Sequence, residues 1–163
     1  MIRTEEIRNV AVIGHSGEGK TTLTEAILFN AGAIDRQGKV DDGNTVSDFE
    51  QEEIARKTSI SLTASRCEYT DRKNRHVVFN LLDVPGFFDY EGERSEALAA
   101  ADNALIVTGA NGTLTVGTEK AIEYCLKNKI PSILFINGLD KDNANFVKTV
   151  HAIKEKYGNK IAP

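Results

Sequence analysis

The sequence predicts an α/β domain built on a doubly wound, mostly parallel sheet with one antiparallel hairpin strand. Short apolar runs, typical of strands buried on both faces, alternate with longer segments of helical periodicity. This order is expected when helices cover a parallel sheet. In addition, two strand-like segments flank the short polar turn 71–75, which favours a hairpin.

In the first half of the chain, residues 9–13 form an apolar run that predicts a strand ending at Gly14. A helix is expected from Lys20, with apolar residues at helical spacing until Ala31 and Gly32 stop it. The polar segment 35–57 has no clear period and predicts a long loop, a feature that is uncommon unless it is functional or mobile. The hairpin strands that follow are expected at 58–69 and 76–82.

In the second half, residues 83–86 break the strand, and buried strands are expected at 104–108 and 132–136. Helices are expected at 93–101, 118–127 and 145–157, because apolar side chains such as Ile122 and Ile153 recur on one face. Strands and helices therefore alternate to the last helix.

Length and charge restrict the class of protein. The 163 residues, 40% hydrophobic, suffice for the core of one domain, which we expect over residues 1–163. A net charge of −4 argues against non-specific binding to nucleic acid, since a phosphate backbone favours basic surfaces. Cys67 and Cys125 lack metal-type spacing and indicate reduced thiols. No apolar run approaches the ~20 residues of a membrane span, and no signal peptide is recognisable, so we expect a cytoplasmic protein with no membrane partner.

One loop carries a complete phosphate-binding signature. Residues 14–21 read GHSGEGKT and fit G-x-x-x-x-G-K-[ST] at every fixed position, between a strand and a helix. Glycines let the backbone turn tightly so that several N–H groups meet one anion, and the helix N-terminus adds partial positive charge. Lys20 is expected to reach the β- and γ-phosphates, and the Thr21 hydroxyl to ligate Mg²⁺. The residues predicted to hold the phosphates are Gly14, His15, Ser16, Gly17, Glu18, Gly19, Lys20, Thr21 and Thr22.

A second motif ends the strand at 76–82, where open α/β sheets place ligand-binding groups. Asp83 can hold Mg²⁺ through water, and the Gly86 N–H can meet a γ-phosphate. Lys20 and Gly86 are therefore the predicted catalytic groups, since both can neutralise developing charge. The predicted nucleotide contacts in this motif are Asp83, Val84, Pro85 and Gly86.

A third motif, Asn-Gly-Leu-Asp at 137–140, follows the strand at 132–136. The Asp140 carboxylate can accept hydrogen bonds from guanine N1–H and the 2-amino group, whereas adenine offers neither donor there. Asn137 and Asp140 are therefore predicted to contact the base. Three loops at three strand ends, in this order, predict GTP or GDP with Mg²⁺ as the ligand. An ATP-using phosphate-loop protein is the alternative, and Asp140 disfavours it.

With these motifs, the sequence from about residue 8 to 163 resembles the translational GTPases, most closely elongation factor G and its paralogues. The resemblance is carried by GHSGEGKTTLTEAIL, TVSDFEQEEIARKTSI, DVPGFFDY and INGLDKDNANF. It implies a Ras-like fold, GTP hydrolysis and action on the ribosome through RNA and proteins. It also implies that residues 35–57, here called the switch segment, are ordered by the nucleotide. Ser59 would then supply a hydroxyl to Mg²⁺, with Thr58 as the alternative, so the implied metal ligands are Thr21, Ser59 and Asp83.

Three departures from the family pattern stand out. Gly17 replaces an aspartate that helps to hold a monovalent cation, and Gly138 replaces the lysine whose stem lies along the base. Phe87 replaces the catalytic histidine after the motif glycine, and its side chain has no polar atom to orient water. These changes indicate a divergent paralogue with weak intrinsic hydrolysis. A nucleotide-dependent binding switch with little hydrolysis stays the second hypothesis, in which Phe87 and Phe88 either pack or wall off the γ-phosphate.

The resemblance also sets expectations for the whole protein. Residues 1–163 match a GTP-binding domain up to, and not including, the family's last guanine-contacting loop, so further domains are expected beyond residue 163. A monomer is expected. Translocation, recycling, release-factor eviction and ribosome protection all stay open, because the distal domains distinguish them.

The guanine hypothesis gives a first prediction. Asp140→Asn replaces an acceptor with a donor opposite guanine N1–H, so the variant should lose GDP affinity and gain affinity for xanthosine diphosphate. Competition against a fluorescent nucleotide measures both. ATP binding as tight as GTP binding in the unmodified protein would refute the assignment.

Overall fold

The computed structural model describes residues 2–162, without the side chain of Phe88, and a five-stranded sheet forms its centre. The strands are β1 (Ile7–Gly14), β2 (Thr63–Thr70), β3 (His76–Asp83), β4 (Asn103–Gly109) and β5 (Ser132–Asn137). The helices are α1 (Lys20–Asn30), α2 (Gln51–Arg56), α3 (Glu91–Ala100), α4 (Val116–Asn128) and α5 (Phe146–Tyr157). Within residues 2–162, no helix has both the length and the apolar content that a membrane span requires.

The sheet has the strand order β2-β3-β1-β4-β5. β1 pairs in parallel with β3 and β4, β4 pairs in parallel with β5, and β2 pairs antiparallel with β3. The predicted fold class, a mostly parallel sheet with one antiparallel hairpin strand, is confirmed. Because the parallel strands end at the same edge, the segments that follow β1, β3 and β5 are brought together there.

The core lies mainly on one face of the sheet. Small and branched residues of β1 and β4, such as Ala11, Ile13 and Ile106, pack under α3, α4 and α5. A smaller cluster around Leu28 and Cys67 holds α1 on the other face. Burial raises the pKa of the Cys67 thiol, as it does for Cys125, whose pKa rises to about 11. Both cysteines are therefore buried thiols, as the sequence indicates.

The switch segment differs from its prediction. It contains the short helix α2 and a 3₁₀ turn at Val40–Asp42, where the sequence predicts only loop. The strand expected at 58–69 begins at residue 63, because residues 58–62 leave the sheet. Backbone N–H groups of Ile60 and Ser61 bond to the Glu53 carboxylate instead of a neighbouring strand.

The prediction that β5 is a buried strand is wrong for one of its faces. β5 pairs only with β4 within the described residues and forms the sheet edge. Ile133 is 70% exposed, and Phe135 is exposed on the same face. This face borders a groove of about 1010 Å³ that also includes Val10 and Leu105, and none of the predicted site residues lines it. An apolar sequence therefore predicts a strand here, but it does not predict that both faces of that strand are buried.

Close approach of two strands at the start of the phosphate loop gives the second prediction. Gly14 has φ +145°, and a Cβ there would overlap the carbonyl group of Val107 on β4. Gly14→Ala should therefore lower the free energy of unfolding by at least about 2 kcal/mol. Gly92→Ala is the matched control, since a Cβ on Gly92 meets open space in α3 and should stabilise by up to about 1 kcal/mol. Equal urea midpoints for the two variants would contradict this reading of the loop.

Candidate phosphate and metal site

The phosphate loop (residues 14–21) joins β1 to α1 through three glycines with positive φ. Gly14, Gly17 and Gly19 have φ values of +145°, +77° and +87°, a region that other residues rarely adopt. Gly19 is the last residue before α1, which begins at Lys20. The loop can therefore present backbone N–H groups at a helix N-terminus, the arrangement that binds phosphate.

Lys20 supplies a buried positive charge to this loop. Its side chain is 6% exposed, and Nζ donates to the carbonyl oxygen of His15 at 3.0 Å. Burial lowers the pKa of Lys20, while the charges of Asp83, Glu18 and Asp48 oppose that shift. Within the described residues, Lys20 forms no direct salt bridge. A buried cation held by a carbonyl group is well suited to receive a phosphate oxygen.

Two hydroxyl groups meet beside Lys20. The Thr21 and Ser59 oxygens lie 3.0 Å apart, and the Ser59 hydroxyl donates to Asp48 Oδ1 at 2.6 Å. Because the single Ser59 proton is directed to Asp48, Thr21 is the donor in the contact between the hydroxyls. Of the two candidate metal ligands at positions 58 and 59, Ser59 is the one whose side-chain hydroxyl contacts Thr21. The backbone N–H of Thr58 bonds to the Glu53 carbonyl oxygen at 3.1 Å.

Asp83, at the end of β3, is a deeply buried acid of the site. Its side chain is 1% exposed, and neither oxygen meets a donor at full hydrogen-bonding geometry within the described residues. Burial raises the pKa of Asp83 to about 6, against the opposing charge of Lys20 and the nearby hydroxyls of Ser47 and Thr21. Such unpartnered buried oxygens call for a cation.

The donors present fit Mg²⁺. Thr21, Ser59, Asp48 and Asp83 offer only oxygen atoms, which this hard cation prefers. Among the described residues, no group of three or more His, Cys, Asp or Glu side chains could hold a metal alone. A Mg²⁺ ion here would therefore need oxygens from a phosphate or water to complete its shell, as is usual for this ion.

Gly86 brings the motif after β3 against the phosphate loop. A Cβ on Gly86 would lie 2.6 Å from the Ser16 nitrogen and would overlap the Lys20 ammonium group, so only glycine allows this approach. Val84 and Pro85 are buried behind it. One cavity of about 170 Å³ joins these segments, and its lining comprises Ser16, Gly17, Gly19, Lys20, Thr21, Thr22, Val40, Asp48, Lys57, Thr58, Ser59 and Gly86.

Three acids of the site were not predicted from the sequence. Asp48 lines the cavity and accepts from Ser59. The Glu53 carboxylate accepts from three backbone N–H groups, those of Glu50, Ile60 and Ser61, and so fixes the chain on both sides of Ser59. Glu25 of α1, 1% exposed, accepts from the Val46 N–H at 3.0 Å. Their signal in the sequence was weak, since acids in a polar segment are ordinarily solvated.

The third motif reaches the phosphate loop through Asn137. Its side-chain amide donates to the Glu18 carbonyl oxygen at 2.9 Å. Asn137, Glu18 and His15 line a second cavity of about 250 Å³ beside the loop. Asp140, predicted to read the base, is exposed and is not among the residues that line this cavity. The structure thus joins Asn137, but not Asp140, directly to the phosphate loop.

Phe87 follows Gly86 at the site without lining it. Its side chain is 46% exposed and contributes to neither of the two cavities. Asp89, the next acid along the chain, is also exposed. The predicted wall of two phenylalanines is described only for Phe87, because the side chain of Phe88 lies outside the described residues.

Comparison with known proteins identifies the domain. The profile of the family described as elongation factor Tu GTP binding domain matches residues 5–162. The chain belongs to this family. An elongation factor G-like protein of Mycobacterium tuberculosis is 37% identical to this GTP-binding domain over 157 residues, or 96% of the chain. Elongation factor G 2 of Borreliella afzelii is 32% identical over 93% of the chain, and mitochondrial ribosome-releasing factor 2 of Drosophila erecta is 34% identical over 94%.

A solved structure agrees with these relatives. A crystal structure of a Thermus thermophilus protein superposes on 94% of the GTP-binding domain with a TM-score of 0.85 and 35% sequence identity. The chain spans about a fifth of the length of these proteins: 21% of the Mycobacterium protein, 22% of the Borreliella factor and 22% of the Thermus chain. The resemblance to translational GTPases and to elongation factor G-like proteins is confirmed.

Burial of Asp83 gives the third prediction. Its pKa is raised from 3.8 in the unfolded chain to about 6 in the fold, so the folded state holds this proton more tightly. Stability of the ligand-free domain should therefore be fully present below about pH 4 and fall as the pH rises to about 6. Asp83→Asn should reduce that slope and stabilise the ligand-free protein at pH 7 by up to about 3 kcal/mol. Asp48, whose pKa burial also raises, leaves part of the slope in place.

Urea unfolding at several pH values checks this prediction. Asp42→Asn, at an exposed position outside the site, is the control and should leave the slope unchanged. An unaltered pH slope in Asp83→Asn would contradict the assignment of the slope to this carboxylate.

Proposed function

We propose that this domain binds GTP and GDP with Mg²⁺ and hydrolyses GTP, as the nucleotide-binding part of an elongation-factor-G-like translation factor that acts on the ribosome. The observation that supports this most is the convergence of Lys20, Thr21, Ser59 and Gly86 on one cavity beside the unpartnered carboxylate of Asp83. The relatives named as elongation factors give the process. They also favour a cytoplasmic location.

The proposed roles follow from charge and position. Lys20 and the loop N–H groups would bind the β- and γ-phosphates, and the Gly86 N–H, beside Lys20, would donate to the γ-phosphate. Thr21, Ser59 and Asp83 would hold Mg²⁺, which when bound neutralises charge on the phosphate oxygens. Asp140 would read guanine once its loop closes on the base.

The same contacts suggest how nucleotide binding would change the affinity for a partner. Ser59 lies two residues after the switch segment, so loss of the γ-phosphate and of the metal contact would remove one of the bonds that hold this segment. The contacts of Asp48, Glu53 and Glu25 would then hold the segment. Affinity for the ribosome, through RNA and proteins, would change with the position of the segment.

A second candidate function is a nucleotide-dependent binding switch with little hydrolysis. Phe87 favours it, because the residue after Gly86 has no polar side-chain atom and lies exposed, outside the phosphate cavity. Among the described residues that follow Gly86, none lines the cavity to orient water in its place. The chemical step would then depend on groups supplied by the ribosome.

The fourth prediction compares GTP hydrolysis rates. The purified protein alone should hydrolyse GTP slowly, since loss of one positioning group costs a factor on the order of 10² to 10⁴. Phe87→His should raise the rate measured with ribosomes, and Lys20→Ala should abolish tight triphosphate binding and serves as the null control. Single-turnover assays with and without ribosomes measure each rate. Ready hydrolysis by the unmodified protein alone, or an unchanged ribosome-stimulated rate in Phe87→His, would show that Phe87 is not the missing catalytic group.

A further inference from the structure

The loop after β5 places a lysine over a glycine. Gly138 has φ +72° and no side chain of its own. The Cδ and Cε atoms of Lys141 lie 3.3 Å from the position that a Cβ on Gly138 would occupy, and Nζ lies 3.7 Å from it. The methylene stem of Lys141 therefore covers the surface that a side chain at Gly138 would otherwise fill.

Two successive turns fix the backbone that carries this lysine. The Lys141 N–H donates to the Gly138 carbonyl oxygen at 3.2 Å, and the Ala144 N–H donates to the Lys141 carbonyl oxygen at 2.9 Å. The turns double the chain back on itself and direct Lys141 toward the start of its own loop. Within residues 2–162, the Lys141 ammonium group takes part in no salt bridge, so its position does not depend on an acidic partner.

Lys141 shares a cavity with the phosphate loop. The cavity of about 250 Å³ is bounded by Gly138 and Lys141 on one side and by His15, Ser16 and Glu18 on the other. The side-chain amide of Asn137 donates a hydrogen bond to the Glu18 carbonyl oxygen at 2.9 Å, and this bond sets the distance between the two sides. A group attached to a phosphate in the loop and extending toward the third motif would therefore pass along the Lys141 stem.

We infer that the stem of Lys141 forms a wall of the nucleoside site, contacting the base and sugar of the bound guanine nucleotide in the place that Gly138 leaves without a side chain. This inference rests on the proposed function and assigns it one more binding residue. An aromatic base requires a flat apolar surface, which three or four methylene groups provide. The ammonium group at the tip can donate to oxygen atoms of the sugar, or attract the π face of the base.

The chain offers a closely matched control. Lys148 of α5 covers Gly112, which has φ +80°, with its Cδ 2.7 Å and its Cγ 3.1 Å from the corresponding Cβ position. Neither Lys148 nor Gly112 lines the cavity beside the phosphate loop. Lys148→Ala therefore removes the same kind of shielding of a left-handed glycine without removing a wall of the nucleoside site.

The fifth prediction concerns the affinities of these variants for GDP and for inorganic tripolyphosphate, measured by calorimetry. Lys141→Ala should weaken GDP binding roughly tenfold, and Lys141→Met, which keeps the apolar stem, should recover most of that loss. Tripolyphosphate has no base or sugar, so its affinity should be the same in the unmodified protein and in Lys141→Ala. Lys148→Ala should bind both ligands as the unmodified protein does.

The outcomes separate this inference from the proposed function. If the unmodified protein binds GDP and Lys141→Ala binds it equally well, the inference is wrong and the proposed function stands. An equal loss of GDP and tripolyphosphate affinity in Lys141→Ala would also overturn the inference, since it indicates a disturbed phosphate loop. If the unmodified protein does not bind GDP, or binds ATP as tightly as GTP, the proposed function and the inference fail together.

Discussion

Burial of opposite charges at the carboxyl edge of the sheet is the constraint on which the site depends. Lys20 and Asp83 are both almost fully buried, yet each keeps capacity for a further partner: the lysine bonds a carbonyl group, and the carboxylate oxygens meet no donor at full geometry within the described residues. Burying such groups is unfavourable unless a ligand satisfies them. A phosphate for the cation and a metal ion for the carboxylate would do so together. In the ligand-free state the fold thus buries charged groups whose interactions a nucleotide and its metal ion would complete.

The switch segment is held to this site by hydrogen bonds to carboxylates rather than by apolar packing. Glu53 fixes the backbone around Ser59, Asp48 accepts from the Ser59 hydroxyl, and Glu25 holds the backbone of Val46 to α1. Apolar side chains of the segment, such as Phe49, are exposed. Hydrogen bonds to a few acids contribute little net stability each. A segment held in this way can move when one of its bonds is lost, whereas a packed core changes only as a unit.

The two ends of the proposed nucleotide site differ in how many of their side chains the fold holds in place. At the phosphate end, the chain supplies three glycines with positive φ and the buried side chains of Lys20 and Asp83. At the base end, Asn137 is tied to the phosphate loop, while Asp140 lies exposed and Gly138 contributes only backbone. Binding energy should therefore come mainly from the phosphates. A chain that loses one side chain at a binding surface can recover contact area from a neighbour that folds over the gap, as the stem of Lys141 does here.

Sequence alone was sufficient wherever the signal is local. The phosphate loop, the motif ending at Gly86, the alternation of strands and helices, and the antiparallel hairpin were all predicted, because loop glycines and side-chain periodicity depend on neighbouring residues. Tertiary structure decided the rest. In the structure, Ser59 rather than Thr58 contacts Thr21, and Asp48 and Glu53 accept hydrogen bonds around it. One face of β5 is exposed, and the stem of Lys141 lies over Gly138. The contact between Thr21 and Ser59 depends on which distant segment comes within about 3 Å, and the pairing of segments far apart in the chain leaves no period and no motif to read. The position of Lys141 depends instead on the two turns of its own loop.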